Sequence, residues 1–465
     1  MTGRGRKTSS SLMSNMGAHG AFQIVNLLIQ LVSVPILAGA WGLETYGVWL
    51  ILITLPYYLI VSDFGLTAAA ANDMTAAVAQ DRRDDAVRTF HTMFTAMAVI
   101  FSAIFVLIFA LALGPLHDLL DFAQAPSGGK AVTTLMLLIA YGLFGLLMHG
   151  VHAGLRAAGA YAQGLYIMTG AYAVEAALLL GGVLVGASIL DAAIIYFAGH
   201  AAGVLAMLIA LQRHAPWMLA PPWRPLWGEL RRLARPAMAG FCIPISFALS
   251  LQGPTLVLGA IAGPSAVPFF TSVRTLTRGV SQIVLIFSQA ASPHFTVANA
   301  RGNEARRAEL TALTLMTSLC LLVPGALALI LFGTWLVALW TGGIIVPSVA
   351  LVAALAVAMV LNGIWYPISN LMLAINEHGR FAYAFLALSI ASVGATALLA
   401  GPLGALGAGL ATVALHLPML FWVLVQARRL GLVDAESLRS APKIATQAVT
   451  RYLANRSIGR SSGQK

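Results

Sequence analysis

Residues 90–114 read FHTMFTAMAVIFSAIFVLIFALALG, and this run contains no Asp, Glu, Lys or Arg. About 20 consecutive apolar residues are needed to cross the hydrocarbon core of a bilayer as a helix, so the run predicts a membrane-spanning helix. Similar runs recur along nearly the whole chain, and the alternation typical of a membrane β-barrel is absent. The pattern therefore predicts an all-α protein with many spans.

The composition points the same way. Of the 465 residues, 59% are hydrophobic and 9% are charged, whereas a soluble domain is roughly 45–50% apolar and 25% charged. The net charge of +11 comes from cations in short loops and a tail, so we do not expect nucleic acid as a partner. Cys242 and Cys320 lie in apolar segments and form neither a disulfide framework nor a metal-ligand spacing. We predict no metal and no cofactor.

The apolar runs predict twelve transmembrane helices in two bundles of six. We place them at about 17–39, 46–66, 90–114, 131–153, 163–186, 191–212, 236–262, 265–297, 310–334, 347–373, 381–400 and 404–427. The run at 265–297 is too long for the bilayer alone, so it is expected to tilt or to project beyond the membrane.

The predicted organisation of the chain follows from these spans and from a proline-rich loop between the sixth and the seventh. It comprises a cytoplasmic N-terminus (1–16), a first bundle (17–212), a cytoplasmic linker (213–235), a second bundle (236–427) and a basic cytoplasmic tail (428–465).

The basic residues orient this arrangement. Loops and tails on one side contain 24 of the 27 Lys and Arg residues, and the other side contains only Lys130. Because cytoplasmic loops carry the excess of Lys and Arg, both termini of this multi-pass protein are predicted to be cytoplasmic. The loops on the opposite side are short, which weighs against an enzyme with an external catalytic domain.

The two remaining cations, Arg274 and Arg278, lie one helical turn apart inside the eighth span. A cation at the centre of a transmembrane helix costs about 2.5–3.5 kcal/mol on insertion scales, so something should compensate for two of them. Gln282 continues their stripe at helical spacing, and such a stripe should face water or partner helices. An anionic ligand is the first candidate partner. Hydrogen bonding between helices is the alternative reading of the stripe.

The first span has a second polar stripe, formed by Gln23, Asn26 and Gln30. A cavity lining and interhelical hydrogen bonding explain it equally well. Carboxylates are scarce in the spans, and the two candidates are Glu175 and Asp63. Glu175 is expected either to pair with an arginine or to titrate in proton coupling, and Asp63 to cap or anchor a helix end. The histidines of the spans are scattered, which is typical of packed or hydrogen-bonded residues.

Several segments near the N-terminus resemble those of a known family. They are Asn26-Leu-Leu-Ile-Gln through Pro35, Tyr46-Gly-Val-Trp, Ser62-Asp-Phe-Gly-Leu and Asn72. The chain resembles, over about 17–427, the bacterial polysaccharide (O-antigen, Wzx-type) flippases of the multidrug/oligosaccharidyl-lipid/polysaccharide (MOP) superfamily. That resemblance implies a protein of the bacterial inner membrane with two bundles in a V around a central cavity. It also implies a substrate, an undecaprenyl-diphosphate-linked oligosaccharide that moves from the inner to the outer leaflet for surface polysaccharide synthesis.

The chemistry of the stripes is compatible with such a substrate. Arginine binds phosphate through paired hydrogen bonds, and Arg274 and Arg278 can present two guanidinium groups to one diphosphate. The amides of Gln23, Asn26, Gln30 and Gln282 suit sugar hydroxyls, and the isoprenoid tail can stay in lipid. Membrane lipids, a polysaccharide polymerase and chain-length proteins are the further partners that the resemblance implies.

Three other classes stay open from the residues alone. The first is a multidrug or cation antiporter of the same superfamily, although such exporters usually need membrane carboxylates. The second is a membrane enzyme of glycan assembly, against which the short outward loops and the missing catalytic groupings argue. The third is a scaffold without transport activity, for which the basic tail would supply a binding surface for anionic lipid.

Overall fold

A computed structural model describes residues 3–61, 65–112, 131–223, 225–301, 303–374 and 379–432 of the chain. The described residues form twelve α-helices and no strand. The helices are α1 (Gly3–Val61), α2 (Leu66–Ala79), α3 (Arg83–Ala112), α4 (Ala131–Ala157), α5 (Tyr161–Leu184), α6 (Ile189–His214), α7 (Trp227–Ala262), α8 (Val267–Ala300), α9 (Glu304–Trp340), α10 (Val349–Ala374), α11 (Gly379–Leu403) and α12 (Ala405–Arg429). Two short 3-10 turns, Pro216–Met218 and Pro264–Ala266, precede α7 and α8.

Ten of these helices are long and apolar enough to cross a membrane. The first, Gly17–Leu59, covers two predicted spans, because α1 is broken at Gly42, whose φ of 73° and ψ of 172° are not helical. Glycine adopts a positive φ without a steric penalty, so the chain can reverse there. With α8, the ten helices overlap each of the twelve predicted spans within the described residues, and the predicted all-α polytopic fold is confirmed.

Two helices differ from what hydropathy alone suggests. α2 lies between the second and third predicted spans, where no helix was predicted; it begins after Gly65, which has a φ of 76°. α8 is absent from the ten apolar helices. Its 34 residues extend about 51 Å, which exceeds a hydrocarbon core of about 30 Å, as the long run predicted.

The chain divides into two compact units. Unit 1 comprises Met1–Ala248 and Gly263–Pro268, and unit 2 comprises Leu249–Ala262 and Phe269–Lys465. In unit 1, a core of fully buried side chains joins α2, α3 and α6, including Met74, Phe90 and Met207. In unit 2, the fully buried Trp365 of α10 packs against Phe385 of α11, with ring centroids 5.4 Å apart.

A close backbone approach fixes the turn that precedes α8. Gly47 of α1 lies against Pro264, and a Cβ added at Gly47 would lie 1.9 Å from the Pro264 carbonyl oxygen. Both residues belong to unit 1. Since backbone atoms cannot move aside as a flexible side chain can, only glycine fits at position 47.

Candidate functional site

Arg274 is held against α7 within unit 2. Its Nη1 donates to the carbonyl oxygen of Leu251 and, over 3.1 Å, to the hydroxyl of Thr255. Its guanidinium carbon lies 5.1 Å from the ring centroid of Phe270, one turn earlier in α8. Thr255 and Phe270 are each 1% exposed, so the half-buried cation is in polar and aromatic contact where water is scarce. Arg274 thus bonds α8 to α7, whatever else it binds.

Arg278 and Gln282 follow on the same helix at steps of four residues. Arg278 is exposed, and Gln282 is half-buried. The Oε1 atom of Gln282 is buried and has no hydrogen-bond partner among the residues that the structure describes. The stripe therefore combines an anchored cation, an exposed cation and an amide oxygen without such a partner.

The polar residues of α1 belong to the other unit. Gln23, Asn26 and Gln30 are half-buried. The amide nitrogen of Asn26 donates to the Phe22 carbonyl, 2.9 Å away on the same helix. The structure thus places the α1 stripe in unit 1 and the arginine stripe in unit 2, and their joint role in binding stays a prediction.

Glu175 of α5 pairs with a histidine, where we expected an arginine or a lone titrating carboxyl. Its Oε1 lies 2.5 Å from Nδ1 of His200 on α6. Glu175 is 3% exposed and His200 is 2% exposed. This distance is within hydrogen-bonding range. The pair is therefore a buried polar contact between two spans of unit 1.

Aromatic rings and a glycine enclose the pair. The ring of Tyr141 lies 4.3 Å from that of His200, and Tyr172 stacks on it at 5.5 Å. A Cβ added at Gly199 would lie 2.4 Å from Cγ of Glu175. The carboxyl group thus sits where any larger residue at position 199 would displace it.

Other histidines are hydrogen-bonded or packed, as predicted. His152 lies 3.3 Å from the carbonyl oxygen of Tyr161, and His416 accepts a 3.3 Å hydrogen bond from Trp365. The described residues contain no group of three metal-ligating side chains. Asp63, the second predicted carboxylate, lies outside the described residues.

An ionic cluster at the start of α7 was not predicted from the sequence. Arg232 donates two hydrogen bonds to Asp73 of α2, of 2.8 and 2.7 Å, and one to Glu229. Thr89 of α3 donates a third hydrogen bond to Asp73. The hydrogen bonds from Arg232 hold the pKa of Asp73 below its ordinary value, and Asp73 in turn raises the pKa of Arg232. The cluster fastens the first turns of α7 to α2 and α3 within unit 1.

Sequence comparison gives no relatives, since no family model and no curated protein matches the chain. Solved structures share its fold. An inward-facing multidrug resistance MATE family transporter of the MOP superfamily aligns with a TM-score of 0.69 at 14% identity, over 88% of this chain and 94% of that one. The lipid II flippase MurJ, in an inward closed conformation, aligns with a TM-score of 0.67 at 14% identity, over 92% and 90%. A MOP superfamily transporter from Pyrococcus furiosus, described as having a binding pocket of reverse polarity, aligns with a TM-score of 0.55 at 14% identity. The alignment covers 91% of this chain and 95% of that one. The chain therefore has the fold of these transporters.

Proposed function

We propose that this protein is a flippase that moves an isoprenoid-diphosphate-linked oligosaccharide from the inner to the outer leaflet of the bacterial inner membrane. Transport is by alternating access, and both termini are cytoplasmic. The product is used for a surface polysaccharide such as O-antigen, capsule or exopolysaccharide. The substrate class rests on the sequence resemblance described above.

The observation that carries the proposal is the stripe of Arg274, Arg278 and Gln282 on α8. A diphosphate is a compact multivalent anion, and charge-assisted hydrogen bonds from guanidinium groups are about twice as strong as neutral ones. Arg278 is exposed, so it can reach a ligand without first leaving a buried site. A fold shared with a lipid II flippase is compatible with a lipid-linked substrate.

The different burial of the two arginines suggests different roles. Arg274 donates to α7 through Nη1, so we assign it to holding the binding face in place and to supplying positive charge. Arg278 is assigned to direct contact with the diphosphate.

The membrane potential also favours the proposed direction of transport. With a cell interior negative, outward movement of negative charge is favoured by about 2.3 kcal/mol per charge per 100 mV.

The test replaces each arginine separately. Arg278→Gln should abolish most surface polysaccharide while the protein is made and folded in normal amounts, and Arg278→Lys should retain part of it, since lysine keeps the charge but loses the paired geometry. Arg380→Gln removes an exposed cation from the start of α11 and serves as the matched control. Undiminished polysaccharide in the Arg274→Gln/Arg278→Gln double variant would refute the proposed role of the pair.

A multidrug or cation antiporter is the second candidate, and a specific observation favours it. Such a transporter needs a membrane carboxyl group for coupling, and Glu175 with His200 supplies one in unit 1. A strain that overproduces the protein should then show raised drug resistance that Glu175→Gln removes. Unchanged drug resistance in the overproducing strain, together with loss of surface polysaccharide when the gene is deleted, would favour the flippase.

A further inference from the structure

Two apolar cavities flank one face of α3 in unit 1. One, of about 410 Å³, lies between α3 and the start of α7, and its lining includes Val99, Leu226, Trp227 and Leu230. The other, of about 460 Å³, lies beside Trp223 and shares Val99 with the first. Cavities of this size fall in the range that holds small ligands, about 300–1,000 Å³. We call the pair the α3 groove.

Hydrogen bonds from the linker hold its residues against α3 and engage the hydroxyl groups of Thr92 and Thr95. Nε1 of Trp223 donates to the Thr95 hydroxyl over 2.7 Å, and the backbone N–H of Leu226 donates to the Thr92 hydroxyl over 3.0 Å. The ring of Trp223 stacks on His91, with centroids 3.9 Å apart. Trp223 and Leu226 are thus fixed along α3, and the described lining of the groove is mainly apolar.

The walls of the groove are large apolar residues that are exposed. Trp227 is 82% exposed, Val99 is 57%, and Trp223 and Leu226 are 44% and 43%. Exposed contiguous apolar surface marks a binding or membrane-contact surface. Tryptophans collect where hydrocarbon meets headgroups, and both tryptophans lie at the predicted cytoplasmic end of α3.

Two arginines stand at the rim. Arg88 precedes Thr92 by one turn of α3, so it lies on the same face as the groove, and Arg231 follows Trp227 by one turn of α7. Both are exposed. Asp85, one turn before Arg88, forms an ion pair with Arg82 at 2.8 Å and a longer one with Arg88 at 3.9 Å. The rim therefore presents cations that can meet an anionic headgroup.

We propose that the α3 groove binds an anionic glycerophospholipid of the inner leaflet, with an acyl chain along Val99, Leu226 and Trp227 and its phosphate between Arg88 and Arg231. The apolar lining fits a hydrocarbon chain, and the cationic rim selects the headgroup. Bound lipid would fill the gap between α3 and the start of α7, where Arg232 fastens α7 to Asp73.

Brominated phospholipids test the proposal, because bromine quenches tryptophan emission on contact. Full-length protein is reconstituted in phosphatidylcholine vesicles with a minor fraction of brominated phosphatidylglycerol or brominated phosphatidylcholine. The emission of Trp227 is obtained by difference from the Trp227→Phe variant. Brominated phosphatidylglycerol should quench it preferentially, by roughly fivefold for each arginine at low salt, and added salt should weaken the preference.

Charge variants distinguish binding at this site from a general attraction of anionic lipid to the basic protein. Arg88→Gln/Arg231→Gln should abolish the preference, and Arg88→Lys/Arg231→Lys should keep it. Arg428→Gln/Arg429→Gln removes two exposed arginines from the end of α12 and should leave it intact. Equal quenching by the two brominated lipids, or a preference that survives Arg88→Gln/Arg231→Gln, would overturn the proposal. So would displacement of phosphatidylglycerol by an isoprenoid diphosphate at equal mole fraction, which would assign the groove to the transported lipid.

Discussion

Removing one partner of the Glu175–His200 pair should destabilise unit 1 strongly. Both residues are at most 3% exposed, and their heteroatoms are 2.5 Å apart. Breaking a buried pair by truncating one partner costs about 3–5 kcal/mol, since the other partner stays buried without its bond. We therefore expect Glu175→Ala and His200→Ala each to lower the free energy of unfolding by about 3–5 kcal/mol.

The double variant carries the sharper information. After either partner is replaced, the hydrogen bond is already broken, so replacing the second partner breaks no further bond. The two destabilising effects should therefore not add. We expect Glu175→Ala/His200→Ala to cost less than the sum of the singles by about 2 kcal/mol. That exceeds the average of about 0.6 kcal/mol for hydrogen bonds between transmembrane helices.

The assay is SDS titration of the purified protein in mixed micelles, followed by circular dichroism. Thr169→Ala is the matched control on α5, because the Thr169 hydroxyl is bonded to the Leu165 carbonyl of its own helix. Crossed with His200→Ala, it should give additive effects, within about 0.5 kcal/mol. A coupling energy of about 0.6 kcal/mol or less between Glu175 and His200 would refute the reasoning.

Two further predictions concern other contacts of unit 1. The pKa of Asp73 lies below its ordinary value of 3.8 because Arg232 donates hydrogen bonds to it, so the stability it contributes is present above about pH 3.8 and is lost as the pH falls through the folded-state pKa. Asp73→Asn should remove that acid-dependent loss in a pH titration of stability, and an unchanged titration would contradict the assignment. Gly47→Ala should cost about 1–3 kcal/mol or more in SDS titration, because its Cβ would meet the backbone of Pro264. Gly20→Ala, with no atom within 4 Å of its Cβ, should be neutral or stabilising by up to about 1 kcal/mol, and equal effects of the two changes would contradict the packing argument.

The helical polytopic fold could be predicted from the sequence because hydropathy is a local property. Each apolar run must be long enough to cross the same hydrocarbon thickness, so runs such as 90–114 identify their own spans. The break at Gly42 lies between two predicted spans, 17–39 and 46–66, whereas α2 was not predicted as a helix because it leaves no hydropathy signal. The same local reading identified Arg274 and Arg278 as the cations off the loops and tails.

What the tertiary structure decided is which residues meet. Glu175 and His200 are 25 positions apart, and Asp73 and Arg232 are 159 apart. Periodicity within one helix can indicate which of its faces is turned inward, but not which residues of a neighbouring helix that face meets. For the same reason, the sequence could show that Arg274 needed a partner but not that Leu251 and Thr255 supply part of it. Spans follow from the length and polarity of a single segment, whereas a partner follows only from the packing of several segments against one another.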